Sequence, residues 1–428
     1  MSKWCEKLAL GPDSITAIIR FYVGRFLSIA AIIGIFGPSA ATAGGTYLNE
    51  FATPSMGVAG AGQEAYANDA STSFALHNPA GMTRLDGHEL SAGAGLLYGK
   101  TEFDPDANTQ FSGGDGGNQA SLAPVVGTFG VISLTEDLKL GLSVFSLTGA
   151  SLDPDDDWAG RYEMQEISLL TVTANPSLAY RINNWLSIGA GLTVMYADLE
   201  YKLAAPAVNP PAGGNSRVKI DGDDWAFGYN FGVLFEPSPH TRLGVTYVSK
   251  VEPEFDGDLD VRLGGGPAFT ASSKTKLTFP QLVRAGVYHE LNQNWALLGS
   301  IGWENWSDFD SFDISTSTGG NSIDTEWKDT YHFSAGIHYR PTQDWLLQTG
   351  FTYDTSPVSN KDRESWLPSD RQIRLAIGAQ HQMTETLKIG GALEYIDLGE
   401  SKIRSDTLRG DYTDNRAIAV SLNMNYKF

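Results

Sequence analysis

The chain has almost no cysteine, no long apolar run and no excess of basic residues, and each shortage excludes a class of protein. One cysteine, Cys5, among 428 residues rules out a disulfide framework. The longest apolar run, 26–36, is too short to cross a bilayer as a helix, and the mean hydropathy is only -0.19. A formal net charge of -20 argues against a nucleic-acid partner, which requires a basic face.

The first 43 residues have the order of features found in an export signal. Basic residues precede the apolar run 26–36, and the tripeptide Ala-Thr-Ala at 41–43 follows it as a small-residue cleavage site. We therefore expect residues 1–43 to be a signal peptide that is removed together with Cys5. The mature chain then enters an oxidising compartment without any thiol.

The last residues of the chain alternate strictly between apolar and polar side chains. The apolar positions are Val420, Leu422, Met424, Tyr426 and Phe428, with polar residues between them. Such a strand has one face for lipid and one for water, which is typical of the closing strand of an outer-membrane barrel. We expect the terminal Phe428 to be the contact for the barrel-assembly machinery.

The rest of the mature chain repeats one theme: an alternating segment, a short polar turn, a second alternating segment and a longer polar loop. Six short turns separate seven pairs of strands, which predicts an all-β fold, a transmembrane barrel of fourteen antiparallel strands over 87–428. The turns lie at 135–137, 182–184, 237–239, 292–294, 341–343 and 383–385. The longer loops, expected to be extracellular, lie at 105–120, 151–165, 204–222, 257–273, 311–324, 356–370 and 401–412.

Residues 44–86 do not follow the alternation of the strands. They are rich in small residues, as at 56–62, and contain the corner Asn78-Pro79-Ala80. A barrel of fourteen strands has a lumen wider than its own side chains can fill. We therefore expect 44–86 to lie inside the barrel as a small N-terminal hatch, or plug.

Short motifs spread along the mature chain carry a resemblance to a known family. They lie at 48–51, 57–62, 68–70, 78–80, 158–162, 180–184, 222–229, 354–358 and 367–371. In this order they make the chain resemble the FadL/OmpP1 family of outer-membrane transporters of hydrophobic compounds. The resemblance implies a fourteen-stranded barrel with an N-terminal hatch, in agreement with the strand count.

The resemblance also implies a route for the ligand. Members of the family release ligand sideways, through a gap beside an inward kink of the third strand, which is 138–150 here. Alternation directs Phe145 and Leu147 into the lumen, and Gly149 falls at the expected kink; alternatively, Gly149 only ends the strand. The residues implied at the hatch and its gate are Asn49, Glu50, Phe51, Asn78, Pro79 and Ala80.

A fatty-acid carboxylate would need a basic partner inside the barrel, because an unpaired buried charge is costly. Three basic residues are candidates for this contact: Lys202, Arg284 and Arg374. Glu304 and Glu394 are alternative partners for the two arginines, so neither need meet ligand. Asp198 stands where the resemblance suggests a base on the fifth strand, which leaves uncharged ligands open.

The sequence contains no catalytic constellation. Its 7 histidines are scattered, no Gly-x-Ser-x-Gly elbow occurs, and the acidic stretch 153–157 lacks the spacing of a calcium loop. We therefore expect no enzymatic activity, metal site or cofactor. We expect the protein to take up long-chain fatty acids or similar hydrophobic molecules passively, by hatch-gated lateral diffusion. The alternatives are uptake of aromatic or alkane hydrocarbons by the same route, a general diffusion porin for small polar solutes, and a surface enzyme or adhesin built on a barrel.

These expectations place the protein in the cell outer membrane of a Gram-negative bacterium. Its partners there would be a hydrophobic small-molecule ligand, outer-membrane lipid and lipopolysaccharide, and it would function as a monomer.

Overall fold

The computed structural model describes residues 52–67, 77–120, 122–146, 149–205, 216–262, 268–309, 311–316 and 319–428. The expected signal peptide 1–43 and the predicted site residues Asn49, Glu50, Phe51 and Leu147 lie outside the described residues. Within the described ranges, no helix is long and apolar enough to cross a membrane.

The described ranges form one closed barrel of fourteen antiparallel strands. In chain order these are β1 Glu89–Lys100, β2 Leu122–Ser133, β3 Leu138–Phe145 with Gly149–Leu152, β4 Glu166–Asn183, β5 Leu186–Ala205, β6 Ser216–Ser238, β7 Thr241–Val248 with Glu254–Arg262, β8 Ala268–Lys276 with Leu282–Glu290, β9 Trp295–Glu304 with Ser311–Thr316, β10 Gly319–Asp324 with Thr330–Tyr339, β11 Trp345–Asp354, β12 Gln372–Gln382, β13 Leu387–Asp397 and β14 Arg416–Lys427. β1 pairs with both β2 and β14, so the sheet closes on itself. The predicted all-β fold and its fourteen strands are confirmed.

Smaller elements do not belong to the strands of the wall. Three short strands, Phe103–Pro105, Ser401–Arg404 and Arg409–Tyr412, pair in a separate sheet formed by the loops after β1 and β13. Short 3-10 turns cover Pro54–Val58, Pro79–Arg84 and Trp306–Asp308. This loop sheet joins the loop after β1 to the loop after β13 at the extracellular end of the barrel.

The predicted turns agree with the structure to within two residues, but four of the predicted loops are largely strand in their described residues. Each short turn joins two consecutive strands, although 182–183 and 237–238 still belong to the strand before the turn. The described residues of 204–222, 257–273 and 311–324 lie in strands of the wall: Asp256 pairs with Lys274, and Phe312 pairs with Ile323. Most of 401–412 belongs to the separate loop sheet. The polar residues there reflect water on the outward face above the membrane, where a strand no longer needs an apolar side.

The outward face carries an apolar band. On β5, Leu192 is 62% exposed whereas its neighbour Thr193 is 5% exposed, as the alternation predicts. On β6 the outward apolar side chains run from Phe235 to Trp225, and charged residues follow. Ten residue steps at ~3.3 Å, tilted by about 40°, span ~25 Å, the height of the apolar band of an outer-membrane barrel.

Aromatic rings border this band next to the short turns. Trp295 stacks on Tyr339 with ring centroids 4.3 Å apart, and Trp345 stacks on His381 at 4.3 Å. Rings of this kind prefer the headgroup level of the membrane. The short turns therefore mark one membrane interface, and the longer loops lie beyond the other.

We expect the substitution Leu192→Arg to lower the free energy of unfolding of the barrel by about 2–4 kcal/mol, because it places a charge near the middle of the apolar band. Leu192 pairs with Tyr229, which lies close to the centre of the band on β6. Urea titration of the protein in lipid vesicles, followed by tryptophan fluorescence, measures the change. Asp258→Arg, on the outward face of β7 above the band, is the matched control; an equal loss in both variants would contradict this position of the band.

Candidate functional site

The N-terminal segment 52–67 and 77–85 crosses the inside of the barrel. A Cβ atom at Gly350 on β11 would collide with the carbonyl oxygen of Val58, and one at Gly244 on β7 would collide with that of Glu64. Glycine at these wall positions allows the backbone of the segment to lie directly against the sheet. The segment therefore touches well-separated strands of the wall.

Asn78 joins two parts of this segment to the wall. Its Nδ2 donates to the carbonyl oxygen of Glu64 at 2.6 Å and to that of Val233 on β6 at 3.1 Å. Its Oδ1 accepts from the backbone N–H of Ala80 at 3.1 Å and caps the turn that begins at Pro79. The predicted corner Asn78-Pro79-Ala80 is thus fully buried and held against β6 by its amide group.

The wall from β8 to β13 carries paired charges on its inner face. Arg284 Nη2 donates to Glu304 Oε1 at 2.7 Å, so this arginine pairs with the carboxylate that the sequence analysis gave as the alternative to ligand. Arg374 Nη2 lies 3.4 Å from Asp354 Oδ2, and the other carboxylate oxygen of Asp354 lies 2.7 Å from His332 Nδ1. Both arginines face the lumen, but each already contacts a carboxylate.

The structure corrects the expected orientation of Lys202. Its neighbour Tyr201 on β5 is buried inside, so Lys202 lies on the outward face, where its Nζ contacts Glu166 at 2.6 Å and Glu200 at 2.5 Å. Asp198 is exposed on the same outward face and does not bear on the lumen. The sequence already indicated this, because the odd-numbered residues of β5, such as Thr193 and Tyr201, face the lumen and the even-numbered ones face outward.

The wall from β2 to β5 is different, because the inward side chains of its middle part are uncharged. They join an apolar cluster that continues into the extracellular half of the lumen and includes Phe129, Phe145, Leu152, Ile167, Leu169, Met195, Leu199 and Tyr201. Phe129 and Phe145 lie with ring centroids 6.4 Å apart. Phe145 therefore faces the lumen as predicted.

The third strand is interrupted beside this apolar wall. On the β4 side, Phe145 pairs with Thr173 and Gly149 pairs with Leu170, so β3 advances four residues against three on β4. On the β2 side, pairing ends at Gly127 with Phe145 and resumes only at the bridge between Ala120 and Leu152. Among the described residues, Leu122–Val126 pair with β1 but have no ladder partner on β3, so the ladder between β2 and β3 is interrupted there.

Gly149 begins the second part of β3, immediately after this irregularity. The atom nearest to a Cβ built on it is the carbonyl oxygen of Leu169, at 3.4 Å, so a side chain would be accepted there. The sequence analysis missed Pro124, which lies in the part of β2 that pairs with β1 but not with the described residues of β3. Proline has no N–H to donate to a neighbouring strand, and this was a readable signal for a break in the ladder.

Comparison with known proteins identifies the family. The family model described as outer membrane protein transport protein (OMPP1/FadL/TodX) matches residues 34–428. The chain belongs to this FadL family. The long-chain fatty acid transport protein of Escherichia coli (strain K12) is 27% identical over 447 residues, covering 94% of this chain and 98% of that protein.

Solved structures of FadL-family channels share the fold. A FadL homologue from Pseudomonas aeruginosa superposes with a TM-score of 0.77 at 20% identity, covering 92% of this chain and 99% of that one. The CymD monoaromatic hydrocarbon channel gives 0.65 at 18% identity, covering 90% and 99%. The family match and the curated relative make this protein a FadL-family channel for hydrophobic compounds in the outer membrane of a Gram-negative bacterium, and not an enzyme.

In this FadL-family channel, the extracellular part of the lumen holds aromatic residues that sequence reasoning did not single out. Three tryptophans from separate parts of the chain meet there: Trp327 lies 5.2 Å from Trp306 and 5.5 Å from Trp366 between ring centroids. Phe309 lies 4.7 Å from Trp327. No local pattern announces this cluster, because its members come from β9, from the break in β10 and from the loop after β11.

Proposed function

We propose that the protein takes up long-chain fatty acids or similar hydrophobic molecules passively, through a gated lateral route. Ligand would enter the apolar cluster in the extracellular half of the lumen and leave through the gap at β3 into the membrane. The N-terminal segment would act as a hatch that blocks the straight path to the periplasm. The observation that carries this proposal is the stretch Leu122–Val126 beside the apolar wall, which has no ladder partner among the described residues of β3.

The distribution of charge inside the barrel supports a route on the β3 side. In a ring of fourteen strands β10 lies opposite β3, and the pairs Arg284–Glu304 and His332–Asp354 lie on or near β10. An apolar ligand cannot replace the hydrogen bonds and ion pairs of these charged groups, so contact with them is unfavourable. The same ligand loses no hydrogen bond at Phe129, Phe145 and Leu169, so the uncharged side offers the lower barrier.

Two ligand classes remain open under this proposal. The similarity to a long-chain fatty acid transport protein favours fatty acids, and the similarity to a monoaromatic hydrocarbon channel favours aromatic hydrocarbons. Arg284 and Arg374 are each in contact with a carboxylate, which supports a ligand without an obligatory negative charge. Alkanes would follow the same route.

Uptake and conductance together test the proposal. In cells lacking other channels of this family, expression should raise the initial rate of uptake of labelled oleate or naphthalene. In planar bilayers the same protein should show little steady ion conductance. Large steady conductance without uptake of either hydrophobic compound would instead indicate a general diffusion porin.

We further propose two contacts with the surroundings and a monomeric state. Phe428 is 54% exposed at the end of β14 and would be recognised by the barrel-assembly machinery. The outward charged residues above the apolar band, such as Lys202 and Lys219, would meet lipopolysaccharide headgroups. The barrel would function as a monomer, since a sheet closed on itself offers no edge to a second copy.

A further inference from the structure

We propose that Glu364, which is bonded to an aromatic cluster in the extracellular half of the lumen, selects uncharged molecules over anions as ligand enters. We define the aromatic cluster as Trp306, Phe309, Phe312, Trp327 and Trp366. The ligand class is then an uncharged hydrophobic compound, such as an aromatic hydrocarbon or a long-chain alcohol. This inference rests on the proposed function, since it assigns the ligand class of the same uptake route.

The aromatic cluster has the composition of a site for apolar ligand. Phe309 contacts Trp327 and Trp366 with centroids at 4.7 and 5.9 Å, and Phe312 lies 6.5 Å from Trp366. Trp366 is only partly buried, whereas Trp327 is 6% exposed, so the cluster runs from a rim that meets water into the lumen. Flat aromatic surfaces of this kind bind hydrocarbon chains and rings without requiring a polar partner.

Two carboxylates are bonded to this cluster, Glu304 and Glu364. Glu304 accepts from the indole N–H of Trp306 at 3.0 Å and is paired with Arg284 at 2.7 Å, so the charge that bears on selection is that of Glu364. Glu364 Oε2 accepts from the indole N–H of Trp327 at 3.2 Å. The neighbouring Arg363 offsets this charge only in part, because its Nη2 donates to Asp370 at 3.1 Å and lies 3.5 Å from the carbonyl oxygen of Val358. An incoming anion would therefore meet a carboxylate in apolar surroundings, where repulsion between like charges is strong.

The groups around Glu364 agree with this direction of selection. Asp362 adds a second negative charge from the same loop. Tyr201, whose ring centroid lies 5.9 Å from that of Phe312, donates to the backbone of Glu163, whose own carboxylate accepts from Ser405 at 3.0 Å. Burial is the largest influence on Glu364 and raises its pKa to about 7, despite the Trp327 N–H and the charge of Arg363.

The experiment compares dodecanol with dodecanesulfonate, whose charge does not change between pH 6 and 8.5. Binding is measured by tryptophan fluorescence of the full-length protein in nanodiscs. We expect the wild-type protein to prefer the alcohol, and the ratio of the two affinities to fall by about tenfold or more in Glu364→Gln, because the repulsive charge is removed. Glu400→Gln, an exposed acid on another extracellular loop, is the matched control and should leave the ratio unchanged.

Two additional measurements separate charge selection from a structural effect. In the wild-type protein, affinity for dodecanesulfonate should fall as pH rises through about 7, since Glu364 then becomes charged, and Glu364→Gln should abolish this dependence. Trp366→Ala should weaken binding of both ligands, whereas Trp225→Ala on the lipid-facing side should weaken neither.

The outcomes distinguish this inference from the proposed function. If dodecanol binds but Glu364→Gln leaves the ratio unchanged, the selection by Glu364 is overturned while uptake of hydrophobic ligand stands. If neither ligand binds to the wild-type protein, both the site and the proposed function are overturned.

Discussion

Cross-linking β2 to β3 should reduce uptake of hydrophobic ligand by roughly tenfold or more. Under the proposed route the ligand leaves between these two strands, and an opening step of this kind can limit the overall rate. The substitutions Pro124→Cys and Gly149→Cys place one thiol on each edge of the gap. Pro124 is exposed, Gly149 pairs with Leu170 on the outward face of β4, and Gly149 has room for a side chain. If the signal peptide is removed with Cys5, the mature chain has no other cysteine to compete.

A reducible bifunctional thiol reagent makes this test reversible. Uptake by the double variant is measured before the reagent, after it and after reduction, so each sample is its own reference. The control pair Gly130→Cys and Leu142→Cys joins positions that already pair in the ladder, and linking it should change nothing. Undiminished uptake in the linked Pro124–Gly149 variant would contradict exit through this gap.

The strands and the orientation of their side chains were predictable because both follow from the alternation of apolar and polar residues within a short segment. In a barrel wall each side chain meets either lipid or the lumen, so the period of two in segments such as 185–196 directly gives orientation. The same argument placed Phe145, Arg284 and Arg374 inside correctly. It gave the wrong side for Lys202 because that residue lies above the apolar band, where outward positions become polar and the contrast disappears.

The gap and the aromatic cluster could not be derived in this way, because both depend on residues distant in sequence. The break in β3 requires knowing that 122–126 fail to pair with it, and only Pro124 hinted at this. Trp306, Trp327 and Trp366 meet through the closure of β9, β10 and the loop before β12, which no periodicity reports. The loops at 257–273 and 311–324 were misassigned for a related reason: their polar residues indicate water, and water contact does not exclude a strand.

Asn78 should control whether the lumen is sealed, and its substitution should raise ion conductance strongly. Asn78→Ala removes the donor that joins Glu64 and Val233, and it leaves the buried carbonyl oxygen of Glu64 without this partner. A lost hydrogen bond of this buried kind costs about 1–3 kcal/mol, which raises the population of a detached segment by roughly five- to 150-fold. We therefore expect frequent openings in planar bilayers, where the wild-type protein conducts little.

Asn78→Asp separates the two roles of the amide group. The carboxylate can still accept from the N–H of Ala80, so the turn at Pro79 keeps its cap, but it cannot donate to either carbonyl oxygen. If attachment to the wall seals the lumen, both variants should leak to a similar degree while the barrel remains folded. If Asn78→Asp stays as closed as the wild-type protein, the cap at Ala80 matters and the hydrogen bonds to Glu64 and Val233 do not hold the segment in place.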